Sequence, residues 1–322
     1  MPIRFYLQVG LATLLWGTAF PLVKKGLDYA PSTLFAGLRI TLAGLLLLAM
    51  SAAISVGKQI GTPIPPEEPE KNNSKSPTAV KWGWVLLIGF LSSCCLYGLF
   101  FWGMSRVSAT SGAIADGANP ILASLMAHFL LHDDKLTRRK LWALGLAFAG
   151  LCVIALVRHP SASGVPTSPI GLLIMLIGFI LGNAGTILVI KYRGRLTLMQ
   201  LSGGQMFLGG FMLLAISMII DRNADWTRIA DRYFLFSLIW LASVTAIAFR
   251  IWYALVRTYK MTSVAVYSFL ISVWGTMLSV VFLGERFIWP LAAGLVLVVC
   301  GIILMNTERG SHIRELPPES TP

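Results

Sequence analysis

The apolar residues of this chain come in long blocks of roughly 17 to 25 residues, the length a helix needs to cross about 30 Å of hydrocarbon. Such blocks predict membrane spans at Phe5–Val23, Thr33–Val56, Trp82–Met104, Ala109–Leu131, Leu141–Val157, Ile170–Ile190, Leu198–Ile220, Tyr233–Val256, Thr262–Leu283 and Phe287–Met305. Only 12% of the residues are charged, about half the share found in an ordinary soluble domain, so a water-soluble fold would lack the polar surface to cover itself. In lipid the backbone must satisfy its own hydrogen bonds, which leaves helices or a closed barrel. Barrel strands alternate in polarity, and runs such as Leu42–Ala49 do not. The expectation is an all-α integral membrane protein of about ten transmembrane helices, with the lipid bilayer as its first partner.

A formal net charge of +12 raises the possibility of a phosphate binder, because a basic balance is the usual electrostatic footprint of one. The placement of the cations argues against nucleic acid. With the N-terminus cytoplasmic, Arg4, Lys58, Lys135, Arg138, Arg139, Lys140, Lys191, Arg257, Lys260 and Arg309 all fall inside, as the positive-inside rule requires. The excess charge is thus a topology signal, with both termini cytoplasmic. Cys94, Cys95, Cys152 and Cys300 lie within spans without zinc-site spacing, so neither metal nor cofactor is expected. The first span is too long for a removable signal peptide. With short loops and no targeting segment, the expected location is a bacterial inner membrane. Asn72-Asn73-Ser74 in the polar loop 57–81 is a glycosylation sequon, silent on the cytoplasmic side.

The second half of the chain repeats the first. Sliding Ser105–Leu156 along the sequence finds a gap-free match near Val256–Asn306, pairing Asp134 with Glu285, Lys135 with Arg286, Ala143 with Gly294 and Gly150 with Gly301. The starts match more loosely, Trp16-Gly17-Thr18 and Lys24 standing opposite Asn183-Ala184-Gly185 and Lys191. The expected division is residues 1–160 and 161–307, with 308–322 as a cytoplasmic tail. A half with an odd number of spans enters the membrane in opposite senses in its two copies. Two inverted five-helix repeats are therefore expected, the recurrent plan of secondary transporters.

Several motifs resemble the EamA branch of the drug/metabolite transporter superfamily. They are Leu15-Trp16-Gly17-Thr18-Ala19-Phe20 with Lys24, Gly37-Leu38-Arg39, Asn119-Pro120, and Leu283-Gly284-Glu285-Arg286 followed by Gly294 and Gly301. The resemblance covers nearly the whole chain except the loop 57–81 and the tail after Thr307. It implies ten helices, cytoplasmic termini, a central cavity and export of small metabolites such as amino acids. Two departures stand out: His132-Asp133-Asp134 where the second half has Leu283-Gly284-Glu285, and Ile271 where the fourth span has Pro120.

Ionisable groups inside a span are costly and tend to face a cavity or one another. Arg39 in the second span and Asp116 in the fourth both lie about 12 Å from the outer end of their helix. They are expected either to flank the substrate path, with Asp116 binding a substrate amine or exchanging a proton, or to form a permanent bridge. Snorkelling of Arg39 to the headgroups is a further alternative. Asn119 and Pro120 share the Asp116 face at helical spacing, and Pro120 frees a backbone carbonyl, so this strip suits a binding wall or a packing bend. Arg250 either draws a substrate carboxylate or snorkels beside Arg257. Asn183 and Gln205 are the span-resident amides of the second half, and Trp16 and Tyr267 are candidate aromatic walls, Tyr267 because it aligns with Asp116. Asp134 and Glu285 precede the last helix of each half, where an acid complements the positive terminus. They are expected to be structural.

Other functions fit less well. The chain has no His-Glu-x-x-His, no paired span-resident acids and no Gly-x-x-x-x-Gly-Lys-Ser/Thr loop, which argues against a metalloprotease, a membrane aspartyl protease and an ATP-driven pump. A channel, or a carrier of lipids or nucleotide-linked anions, remains open within the same fold.

Overall fold

The structure is a computed structural model that describes residues 2–59, 82–155, 168–192, 196–222, 226–283 and 289–306. The sequon, the Gly284-Glu285-Arg286 turn and the tail lie outside the described residues, as does the side chain of Cys152. Every regular element among the described residues is helical. In chain order they are α1 (Ile3–Gly17), α2 (Ala19–Gly26), α3 (Ser32–Gln59), α4 (Trp82–Gly89), a π-helical stretch (Phe90–Cys95), α5 (Leu96–Met104), α6 (Ala109–Asp116) and α7 (Asn119–Leu130). There follow α8 (Arg138–Ala155), α9 (Pro169–Lys191), α10 (Leu198–Ile220), a 3₁₀ turn (Trp226–Ala230), α11 (Arg232–Thr258), α12 (Met261–Leu283) and α13 (Trp289–Asn306).

Among the described residues, seven stretches are long and apolar enough to cross a membrane: Ile3–Gly26, Ser32–Ile54, Trp82–Met104, Pro169–Lys191, Leu198–Ile220, Arg232–Thr258 and Met261–Phe282. The fourth, fifth and tenth expected spans are not among them. The fourth is interrupted between Asp116 and Asn119, and the fifth, α8, opens on Arg138, Arg139 and Lys140. Large apolar side chains cover the outside, with Phe129, Trp142, Met218 and Val281 at 73%, 74%, 70% and 72% exposure. That surface is stable only against hydrocarbon, as expected of a multi-pass membrane protein.

Several helix starts carry their own caps. The Ser108 hydroxyl accepts from Ser111 N (3.1 Å), Ser168 from Gly171 N (3.3 Å), and Asp231 from Tyr233 N (2.8 Å). Thr197 and Gln200 form a reciprocal capping box at α10. These bonds satisfy backbone donors that a helix leaves unpaired at its first turn.

Close packing rests on glycine. α3 lies along α10, and α8 along α13. A Cβ at Gly44 would collide with the Phe207 backbone, and one at Gly210 with the Thr41 backbone. Further along the same pair, a Cβ at Gly37 would meet the Leu214 side chain and one at Gly203 the Leu48 side chain. In the other pair Gly150 abuts the Gly294 carbonyl while Gly301 abuts that of Ala143. In both pairs the residue numbers of contacting positions rise on one helix as they fall on the other, so each pair is antiparallel. Small residues at these crossings let the backbones approach, the main source of helix adhesion in lipid.

The remaining helices enclose a centre: α5 packs on α9, α1 on α11 and α12, and α12 on both α6 and α7.

Candidate functional site

A cavity opens at that centre, with about 130 Å³ accessible to the centres of water-sized molecules. That is room for several waters or part of one small metabolite. Its wall takes Trp16 and Phe20 from α1 and α2, Arg39 from α3, Tyr97 and Phe100 from α5, Asp116 and Asn119 from α6 and α7, and Asn183 from α9. Phe249 and Trp252 of α11, Ser268 and Ile271 of α12, and Ser92 of the π-helical stretch also line it. Five of the expected site residues, Trp16, Arg39, Asp116, Asn119 and Asn183, therefore border one space.

Asp116 reaches the cavity because its helix stops there. α6 ends at Asp116, Gly117 and Ala118 close turn-like bonds back to Ile114 and Ala115 (3.0 Å each), and α7 begins at Asn119 with Pro120 in its first turn. Proline is well placed at that position, since its missing N–H would be unpaired there anyway. The carboxylate is 9% exposed. Among the described residues it has neither hydrogen-bond nor ion-pair partner.

Arg39 is buried at 2% exposure. Its Nε donates to Thr245 Oγ1 (3.0 Å), and its guanidinium lies over the rings of Tyr97 and Phe101 (5.5 and 5.6 Å). Cation–π contact of this kind compensates part of the cost of burying the charge. Nη1 has no hydrogen-bond partner. Arg39 therefore does not snorkel, and no ion pair joins it to Asp116.

Several other polar groups of the wall hold bonds of their own. Asn183 Nδ2 donates to Asn119 Oδ1 (2.8 Å), linking α9 to α7. Thr186 and Ser268 donate back to Gly182 O (3.1 Å) and Ala265 O (2.7 Å) of their own helices. Trp16 stands edge-on to Phe249 and Trp252 (5.1 and 5.4 Å between centroids).

Three expected site residues lie elsewhere. Tyr267 packs edge-on against Phe5 (5.1 Å) and Tyr6 (6.1 Å) rather than lining the cavity. It aligns with Asp116, but α12 runs unbroken where α6 and α7 are separated, so the cavity-facing positions of α12 are Ser268 and Ile271. Gln205 is fully buried, accepting from Ser93 Oγ (2.7 Å) and donating to Tyr253 Oη (3.5 Å), and does not border the cavity. Arg250 is half-buried on α11, away from the wall formed by Phe249 and Trp252.

Asp134 also reaches α12. It accepts from Thr262 N (3.1 Å) and Thr262 Oγ1 in the first turn of that helix and lies 3.8 Å from Lys140 Nζ of α8. Lys140 Nζ in turn donates to Thr262 Oγ1 (2.6 Å) and Lys135 O (3.1 Å). Lys24 reaches the end of α5, donating to Val107 O (2.7 Å) and Met104 O (3.3 Å). Gly17 lets α1 touch α12, where a Cβ would collide with Trp274. Glu285 lies outside the described residues.

Sequence reasoning missed Thr245, Phe249, Thr186 and Ser268. A signal existed in the helical period: Phe179, Gly182, Asn183 and Thr186 recur at i, i+3, i+4 and i+7 on α9, as Thr245, Phe249 and Trp252 do at i, i+4 and i+7 on α11. Choosing one face of a helix that is apolar all round needs the neighbours, which the sequence does not supply.

A model of the EamA-like transporter family matches residues 4–156 and 169–307. The "Uncharacterized transporter YvbV" of Bacillus subtilis (strain 168) is 28% identical, over 95% of this chain and 92% of its own. The "Probable amino-acid metabolite efflux pump" of Salmonella typhimurium (strain LT2) is 25% identical, over 91% of this chain and 92% of its own. A solved crystal structure with 20% identity superposes at a TM-score of 0.69, covering 94% of this chain and 96% of that one.

Proposed function

This chain belongs to the EamA-like transporter family, and from that premise we propose that it is a secondary carrier exporting amino acids or similar small metabolites across the cytoplasmic membrane by alternating access. The observation that carries the reading is the central cavity, whose wall is drawn from both halves of the chain and combines aromatic surface with two charged side chains. A space of that kind suits a small amphipathic molecule.

The reciprocal glycine contacts support two inverted repeats. Gly44 meets Phe207 as Gly210 meets Thr41, and Gly37 meets Leu214 as Gly203 meets Leu48. One constant shift along the sequence exchanges the members of each pair. Gly150 on Gly294 and Gly301 on Ala143 are exchanged in the same manner by the shift that aligns the two hairpins. Antiparallel helices that swap places in this way are what a two-fold axis lying in the membrane plane produces.

On this reading α1 with α2, α4 with α5 and α6 with α7 each make one crossing, which gives ten crossings in two units, 1–160 and 161–307. An even number of crossings leaves both termini on one side, and the loop cations favour the cytoplasm. The amino-acid substrate class is suggested by the name of the relative from Salmonella typhimurium. Arg39, a buried cation without a carboxylate partner, favours a second reading, an organic-anion carrier.

The test is uptake in proteoliposomes of a labelled panel of amino acids, carboxylates and nucleotide-linked sugars, with and without a pH gradient. Saturable uptake of amino acids supports the reading, and stimulation by the gradient adds the proton as a second ligand. Uptake confined to carboxylates or nucleotide-linked sugars replaces it with the anion carrier.

A further inference from the structure

We infer that Asp116 and Arg39 are the specificity-determining residues of the cavity and read its ligand at two points, Asp116 taking an ammonium group and Arg39 a carboxylate. The inference rests on the carrier reading for its physiological meaning, but it concerns binding and stands or falls by itself.

Both charges border the same small space. They make no ion pair with each other, and each keeps unused bonding capacity: Asp116 has no partner among the described residues, and Arg39 has an unpartnered Nη1. Of the neighbouring polar groups, Asn119 is bonded to Asn183 and the Thr186 and Ser268 hydroxyls to their own helices, and none of them bonds to either charged side chain. An ionisable group withdrawn from water and left unpaired is costly to charge, and here an acid and a base both remain so.

A permanent bridge would have removed both costs. No such bridge forms: Arg39 is engaged by Thr245 and the rings of Tyr97 and Phe101, while Asp116 stands at the end of α6. A ligand that carries both charges close together compensates both groups at once, whereas one with a single charge leaves the other uncompensated. Phe20, Phe100, Phe249 and Trp252 offer the rest of such a molecule an apolar wall.

The charge is one-sided in the repeat. The counterpart of Asp116 is Tyr267, which points into the Phe5 and Tyr6 cluster, so the cavity has one acidic pole rather than two.

The experiment reads binding to the full chain in detergent, by thermal shift and by fluorescence of the cavity tryptophans, and requires no transport. The probes are the common free amino acids, and for each that binds, its N-acetyl and methyl-ester forms. The free zwitterion is expected to bind at least about tenfold more tightly than either blocked form, the usual consequence of losing a charge-assisted bond. In Asp116→Asn the advantage over the N-acetyl form is expected to disappear while the advantage over the ester persists. Arg39→Lys, which keeps the charge but not the fork, is expected to weaken the free acid more than the ester. Blocked forms that bind as well as the zwitterion overturn the inference, as does a panel in which no free amino acid binds. Zwitterion-selective binding without uptake in proteoliposomes would leave the two-point site standing and remove the carrier reading.

Discussion

Asp116 and Asp134 are both buried carboxylates, yet their surroundings give them opposite characters. Asp134 is fully spent, holding the first turn of α12 and lying beside Lys140. Removing it as Asp134→Ala leaves the buried Lys140 ammonium without its carboxylate and takes the acceptor from Thr262 N, and breaking a buried pair in this way costs about 3 kcal/mol. The expected result is a clear drop in the melting temperature of the purified protein, with a smaller drop for Asp134→Asn, which can still accept from Thr262. Equal melting of wild type and Asp134→Ala would refute the clamp. Asp116 by contrast holds nothing in place among the described residues. Asp116→Asn is therefore expected to melt within a few degrees of wild type while losing ligand discrimination, and a large loss of stability would instead identify it as a packing residue.

Helices meet in this molecule where a side chain is missing. The α3 and α10 backbones touch at Gly44 and Gly210, and a leucine at either position would have to push a whole helix aside. Gly210→Leu and Gly44→Leu are each expected to prevent recovery of monodisperse protein, since overpacking costs about 1–3 kcal/mol even where side chains can yield, and here backbone blocks the space. Gly10, with open space around its would-be Cβ, is the control: Gly10→Leu should express and melt like wild type. The same elements indicate what a sequence discloses. Apolar block length located the helices, and span-resident charge located Arg39 and Asp116, because both signals reflect the cost of placing a group in lipid. Tyr267 and Gln205 stand off the cavity wall, and a helix with no polar face carries no mark of which side meets a cavity. The α6–α7 break was legible only as Pro120. Its consequence, that the two halves differ in what they turn inward, depends on contacts made across the whole bundle.

At the scale of the molecule, two antiparallel glycine-packed pairs, α3 with α10 and α8 with α13, accompany a cavity lined by residues from both ends of the sequence. In the proposed carrier, the halves rock about these pairs and expose the cavity to each side in turn. The proposed ten crossings with cytoplasmic termini predict that a fluorescent reporter fused after Pro322 lights up in cells and that an alkaline phosphatase fused there is inactive. The opposite pattern would require an odd number of crossings or the reverse orientation. The most direct measurement of the central claim is counterflow: proteoliposomes loaded with unlabelled amino acid, diluted into a trace of the labelled compound. A carrier working by alternating access should give a transient, saturable accumulation of label that exceeds equilibrium, absent from empty liposomes and strongly reduced by Asp116→Asn. Label that only equilibrates, at a rate linear in concentration and indifferent to the internal load, would mean a channel and contradict the account.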